Sequence, residues 1–422
     1  MKRSRKNRRI LRAFLQSTLI VSCLLLCLLT GILLYITQTE HSDTADSQSF
    51  KVLNDDKNQS FKALNDDKGP SFKTLNDDKN PSVQKPQPSK NRNKPSVKSD
   101  SGEKELKPAP NTTVLFAGDV YFSDYVLANY NQSGIQGVLS KDLLKEMKQA
   151  DLTVVNNEFP YSTRGTQAPD KQFTFRIDPS YVSMLLESGV DLVTLANNHV
   201  LDYGKDALSD TFQTLDQAGI SYMGAGNSFK RAAKLITKKA NGHKLGFLAA
   251  SRVFPDVSWN VENAQPGVLS AYDPARLLSA VQDAQDKCDF LFVYVHWGIE
   301  RNTAPEQYQV SLAHALIDAG ADAVIGAHPH VLQGVEFYNG KPIFYSLGNF
   351  IFYQNIEKTA VVKMTLTADR KAVWQLMPAK ASHACTSLLT ETSACQDFYR
   401  YMSELSVRTS FSDDGTLTEE SS

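Results

Sequence analysis

Carboxylate, amide and imidazole side chains recur in this chain directly after short apolar runs. Thr113-Val114-Leu115-Phe116-Ala117 ends in Gly118-Asp119, and Leu152-Thr153-Val154-Val155 ends in Asn156-Asn157-Glu158. The run 192–196 ends in Asn197-Asn198-His199, the run 290–295 in His296-Trp297-Gly298, and the run 323–327 in His328-Pro329-His330. Of 8 histidines, these positions take four, and His41, His243, His314 and His383 read as structural or solvated. Imidazole and carboxylate together suit Mn, Fe or Zn better than Ca. One or two such ions acidify a bound water and hold the attacking and leaving oxygens of a phosphoester. A histidine beside them can protonate the leaving group. His328 and His330 are two apart, so extended backbone would point both the same way.

The elements that must carry these residues are strands alternating with helices. Helical patterns are expected at 142–150, 179–188, 205–218, 274–287 and 305–319, which makes the domain an α/β sheet structure. In such sheets ligands gather at the carboxyl ends of the strands, and all five apolar runs end there in ligand-type residues. Asn349 follows a strand and suits orienting a ligand from behind. Arg176 and Arg301 carry guanidinium forks that suit an anionic substrate, as they also suit surface ion pairs. Trp297 reads as core, and Gly204 as the turn before a helix.

The rest of the chain reads as tether. Seven Lys and Arg residues among 1–13 precede the only long apolar run, 14–37. That length spans a bilayer, and the basic flank predicts a cytoplasmic N-terminus with everything beyond it outside. No Ala-x-Ala follows the run, so an uncleaved signal anchor is expected rather than a cleaved peptide. Residues 38–110 are polar and hold a repeat of period eleven, Ser49-Phe50-Lys51-Val52-Leu53-Asn54-Asp55-Asp56-Lys57 and its copies at 60–68 and 71–79. With one Phe and one Leu per copy it reads as a disordered spacer. Residues 111–382 form the folded domain, and 383–422 a short helix and a polar, frayed tail. Cys385 and Cys395 could pair in an oxidising compartment or stand as free thiols. A net charge of -1 gives no field for nucleic acid.

As a set, Gly118-Asp119, Asn157-Glu158, Asn197-Asn198-His199, His296-Trp297-Gly298, Gly326-Ala327-His328-Pro329-His330 and Ser346-Leu347-Gly348-Asn349-Phe350 resemble the CapA family of poly-γ-glutamate capsule synthesis. The resemblance covers about 112–380. It implies a domain related to calcineurin-like metallophosphoesterases: two packed β-sheets flanked by helices, a four-layer sandwich. It further implies metal ligands at Asp119, Glu158, Asn198, His296, His328 and His330, with Glu158 bridging and His199 as the acid. Asn157, Asn197 and Asn349 would support them. Where phosphoesterases place a histidine two residues after the first aspartate, this chain has Tyr121, which removes one imidazole from the set. The resemblance implies a membrane-tethered role in capsule or cell-surface polymer synthesis. Two readings follow: a metal-dependent hydrolase, or a non-catalytic factor that binds or exports an anionic γ-glutamate polymer beside its membrane synthase.

Overall fold

In the larger of the two main sheets, β1 (Thr112–Val120) runs parallel to β2 (Leu152–Asn157), and β3 (Leu192–Thr194) and β4 (Ser221–Met223) continue the parallel series. The second sheet is built on β7 (His243–Ser251), β9 (Phe290–His296) and β10 (Ala323–Ala327), also parallel, with β6 (Ile236–Ala240) antiparallel at one edge. Two two-residue strands, β5 (Ala225–Gly226) and β8 (Gly267–Val268), pair with each other. The other edge of the second sheet is β12 (Lys341–Phe344) and β11 (Val335–Tyr338). The larger sheet is completed by β13 (Asn349–Ile351), parallel to the end of β1, and by the antiparallel β14 (Ile356–Leu366), β15 (Ala372–Ser382) and β16 (Cys385–Leu388). A hairpin, β17 (Thr409–Phe411) and β18 (Leu417–Glu419), ends the chain. This computed structural model describes residues 110–261 and 265–421.

The side-chain period of two explains why β9 is apolar throughout. Phe290, Phe292 and Tyr294 join the core shared with the larger sheet, while Leu291, Val293 and Val295 join a second core under helices Ala275–Ala284 and Gln307–Asp318. Phe116 of β1 meets Phe292 at 4.9 Å, and Trp374 of β15 meets Phe344 at 5.6 Å. The sheets therefore pack face to face, and each such buried side chain contributes about 1.5–3 kcal/mol. Helices Lys141–Gln149 and Gly204–Ala218 bury one stripe each on the outer side of the larger sheet, through Leu143, Leu144 and Met147 in the first and Leu208, Phe212 and Leu215 in the second. The expected α/β architecture of two packed sheets with helices outside them is what the chain adopts.

The expected C-terminal tail needs correction, and one helix carries no signal in the sequence. A helix at Asp124–Ser133 has only Val126 buried, so its sequence carries almost no apolar period. The stretch after Leu405 is not a frayed tail, because Leu417 is buried and the strands of the hairpin pair across Gly415 at φ 82°. Phe398, Tyr399 and Met402 of helix Thr392–Leu405 belong to the main core, and β16 pairs with β15, so 383–421 is continuous with the domain. Cys288, Cys385 and Cys395 are free thiols. Among the described residues no helix is long and apolar enough to cross a membrane. The expected basic tail and anchor, and the linker save Pro110, lie outside the described residues.

Candidate metal centre

Strand period alone would put Asp119 on the opposite face of β1 from Phe116. A bulge prevents that. On β2 the partners of Phe116 and Asp119 are Val154 and Asn156, so three steps on β1 match two on β2 and Asp119 is returned to the inter-sheet face. Asn156 and Glu158 share that face by alternation. His296 is the fourth inward residue of β9, after Phe290, Phe292 and Tyr294. The motif glycines let the strands close in. A Cβ at Gly118 would lie 1.8 Å from Gly348 O, and one at Gly326 would lie 2.0 Å from Tyr345 O.

These ends converge on one buried cluster. Asn156 Nδ2 donates to Asp119 Oδ1 at 2.8 Å and approaches Glu158 Oε2 at 3.4 Å. His330 Nδ1 lies 3.2 Å from Asp119 Oδ2, and its Nε2 lies 3.8 Å from Glu158 Oε1. His296 Nε2 lies 2.8 Å from Asn198 Oδ1 and 3.5 Å from Glu158 Oε1. The His328 ring is 4.7 Å from that of His296 and 5.6 Å from that of His330. Two overlapping donor groups, Glu158 with His296 and His328, and Asp119 with Glu158 and His330, each hold their ligand atoms within 4.8 Å of one another. Glu300, exposed, joins His328 and His330 in a third.

His328 and His330 do not converge by strand alternation. Both have left-handed backbone, φ 97° and 58°, outside the extended region that the two-residue spacing suggested. Such conformations cost about 1–3 kcal/mol each and persist where surrounding structure imposes them. Here the His328 N–H donates to Asp119 Oδ2 at 3.3 Å, and Asn349 Oδ1 lies 2.8 Å from His330 Nδ1.

The electrostatics follow from burial. Burial, with the Asp119 charge beside it, holds the Glu158 carboxyl well above its ordinary range. Burial holds His296 and His328 well below theirs, with neighbouring imidazoles adding to it. For His330 burial pulls down, but the Glu158 and Asp119 carboxylates outweigh it and push the imidazole up to about 10. His296 and His328 are therefore neutral, the form that binds metal. Two buried ligand atoms, Glu158 Oε1 and His328 Nδ1, have no hydrogen-bond partner. An unsatisfied carboxylate oxygen in such a place is costly, and carboxylate with imidazole is the donor set of a transition ion. The residues fit a divalent metal.

His199 stands beside this cluster. Its Nδ1 sits between Asp202 Oδ2 at 2.7 Å and Lys171 Nζ at 3.0 Å, and its ring stacks on Phe175 at 4.1 Å. Burial, outweighing the Asp202 bond, lowers it to about 4. Lys171 also donates to Asn198 O at 2.5 Å and pairs with Asp202. Tyr121 stacks on the same Phe175 at 3.8 Å. Asn197 links two strand ends, donating to Asn156 Oδ1 and to Asn157 O, both at 2.9 Å.

Not every expected residue joins. Asn157 alternates away from the cluster and donates to Phe159 O at 2.7 Å, so Asn156 is the amide at the carboxylates. Arg176 is exposed, lies over Tyr203 at 4.0 Å and donates to Arg164 O at 3.0 Å. Arg301 is exposed, and its backbone N–H donates to Pro329 O at 2.8 Å, which places it by the His-Pro-His turn. Asn156, Lys171, Asp202 and Glu300 escape sequence reading. Asn156 is signalled by its period-two spacing from Glu158, and Asp202 by following His199 by three. Lys171 comes from an irregular loop with no signal.

The family described as bacterial capsule synthesis protein PGA_cap matches residues 113–354. The chain is 30% identical over 302 residues to the capsule biosynthesis protein CapA of Bacillus anthracis, covering 69% of this chain and 73% of that one. It is 32% identical over 315 residues to the PGA biosynthesis protein CapA of Bacillus subtilis (strain 168), covering 72% and 80%. Among solved structures, the NAD nucleotidase of Haemophilus influenzae aligns with TM-score 0.43 and 11% identity over 71% of this chain and 57% of that one. A likeness so distant says nothing of activity.

Proposed function

Because the chain belongs to the bacterial capsule synthesis family PGA_cap, we propose that it serves poly-γ-glutamate capsule or cell-surface polymer synthesis through a metal-dependent hydrolase-type site. The observation that carries the site is a pair of buried atoms that make no hydrogen bond, Glu158 Oε1 and His328 Nδ1, on residues that form one donor group with His296. Asp119, Glu158, Asn198, His296, His328 and His330 are the residues that would hold one or two Mn, Fe or Zn ions. When bound, such an ion supplies an acidified water and a clamp for substrate oxygens. The protein does the rest. Asn156 fixes the two carboxylates relative to each other, Asn349 fixes His330, and Asp202 and Lys171 fix the ring of His199, the proposed proton donor to the leaving group. In this reading the run 14–37 anchors the chain in the cell membrane with the domain outside. The anionic γ-glutamate polymer and its membrane synthase are then its partners.

A second reading, a non-catalytic factor that binds or exports the polymer, is favoured by Tyr121. Its ring packs among Phe159, Phe175 and Phe352 where the resemblance expects an imidazole ligand. Elemental analysis of the detergent-solubilised full chain separates the readings. Stoichiometric Mn, Fe or Zn is expected in wild type, and less than a tenth of it, roughly, in Glu158→Gln and His328→Ala. No metal after reconstitution removes the hydrolase reading. With metal present, phosphoester and γ-glutamyl hydrolysis is compared between wild type and His199→Ala, and equal background rates select the assembly role.

A further inference from the structure

A half-buried guanidinium stands one residue beyond the carboxyl end of β7. Ser251 pairs in register with His296, and the Arg252 N–H donates to His296 O at 2.8 Å. Arg252 thus leaves the second sheet at the edge that carries the metal-type cluster, its backbone bonded to the backbone of His296. The side chain is held from its faces. Its Cζ lies 3.8 Å from the ring centroid of Tyr308 and 5.7 Å from that of Tyr272. Tyr308 Oη in turn accepts the N–H of Gly298 at 2.7 Å. Gly298 is two residues past His296, so the stack and the cluster are built on one backbone segment.

A guanidinium stacked on an aromatic face keeps its N–H edge in its own plane, the geometry of a bidentate grip on carboxylate or phosphate. Among the described residues nothing occupies that edge. Arg164, Arg370, Arg400 and Arg408 each hold a carboxylate. Among the described residues no carboxylate pairs with Arg252 and no acceptor bonds its guanidinium. Burial pushes its pKa down, and only the two tyrosine hydroxyls oppose this. The group nevertheless stays charged at any working pH. A cation partly withdrawn from water with no counter-charge is destabilising, and an arriving anion would relieve that.

We propose that Arg252 seats an oxyanion of the substrate, a carboxylate or a phosphate, beside the metal-type cluster. The assignment rests on the hydrolase-type reading of that cluster for the word substrate, but its binding test does not need turnover. The full chain in detergent, incubated with Mn, is titrated calorimetrically with inorganic phosphate, a γ-linked glutamate oligomer and the uncharged γ-linked glutamine oligomer. Wild type is compared with Arg252→Ala, the near-isosteric Arg252→Gln and Arg252→Lys. Removing a charge-assisted pair should weaken at least one anionic probe by about ten- to a hundredfold in the Ala and Gln variants. Lys should recover part of the loss, and metal content should stay at the wild-type level. The neutral oligomer should bind all four proteins alike. The larger loss identifies the source of the anion, glutamate oligomer for a carboxylate and phosphate for a phosphoryl group. The assignment is overturned if Ala and Gln bind both anions as tightly as wild type, if the neutral oligomer is lost in equal proportion, or if Lys recovers nothing. Arg252-dependent anion binding in a protein that takes up no metal would sink the hydrolase reading and leave this assignment standing.

Discussion

Substituting Gly118 with alanine tests whether the Gly-Asp motif is a turn or a point of closest approach. Gly118 lies inside β1, and a Cβ there would sit 1.8 Å from Gly348 O, 3.0 Å from Gly348 C and 3.1 Å from Leu347 C. All three are backbone atoms, so no side chain can swing away. To bring the first contact even to 3.0 Å the segment before β13 must retreat by about 1.2 Å. That retreat stretches the bond from the Asp119 N–H to Gly348 O, now 2.9 Å. It also drags Asn349, whose Oδ1 lies 2.8 Å from His330 Nδ1. Overpacking costs about 1–3 kcal/mol and a buried backbone bond left unmade about 1–3 more, so Gly118→Ala should lose about 2–6 kcal/mol. Denaturant unfolding measures the loss as a lower midpoint at unchanged slope, and elemental analysis should show weakened metal retention. A midpoint within experimental error of wild type, with full metal content, would refute the close-approach argument.

Two further outcomes are expected. In metal-free protein His330 is raised to about 10 and Glu158 is also raised. Each native group holds its proton to higher pH than the unfolded chain does, so stability is lost as pH rises, for His330 from about 6.5 through about 10. The melting temperature of chelator-treated protein should fall between pH 7 and 10 and fall less after metal is restored; a rise across that range contradicts the assignment. Tyr294→Phe removes the buried hydroxyl that donates to Ala117 O across the two sheets at 2.8 Å. It should cost about 1–3 kcal/mol in chemical unfolding, and no loss would show that the bond does not hold the sheets together.

Much of this protein is written locally. Apolar runs of strand length ending in Asp, Asn, Glu or His identify both the sheets and the residues at their edges, because burial on two faces demands uninterrupted apolar sequence and polar ligand residues are tolerated only where the strand ends. Helices Lys141–Gln149, Gly204–Ala218 and Gln307–Asp318 are equally legible from their stripes. What only the tertiary structure decides is direction. The bulge that turns Asp119 inward exists in the pairing of β1 with β2 and has no local signal. The left-handed backbone at His328 and His330 goes with contacts to Asp119, 209 residues from His328, and to Asn349, 19 residues from His330. For the same reason Asn156 displaces Asn157 at the carboxylates, and Lys171 reaches His199 from an irregular loop. Residue type is a property of the chain, but the face a side chain presents depends on register, and register is settled by partners that sequence neighbours do not name.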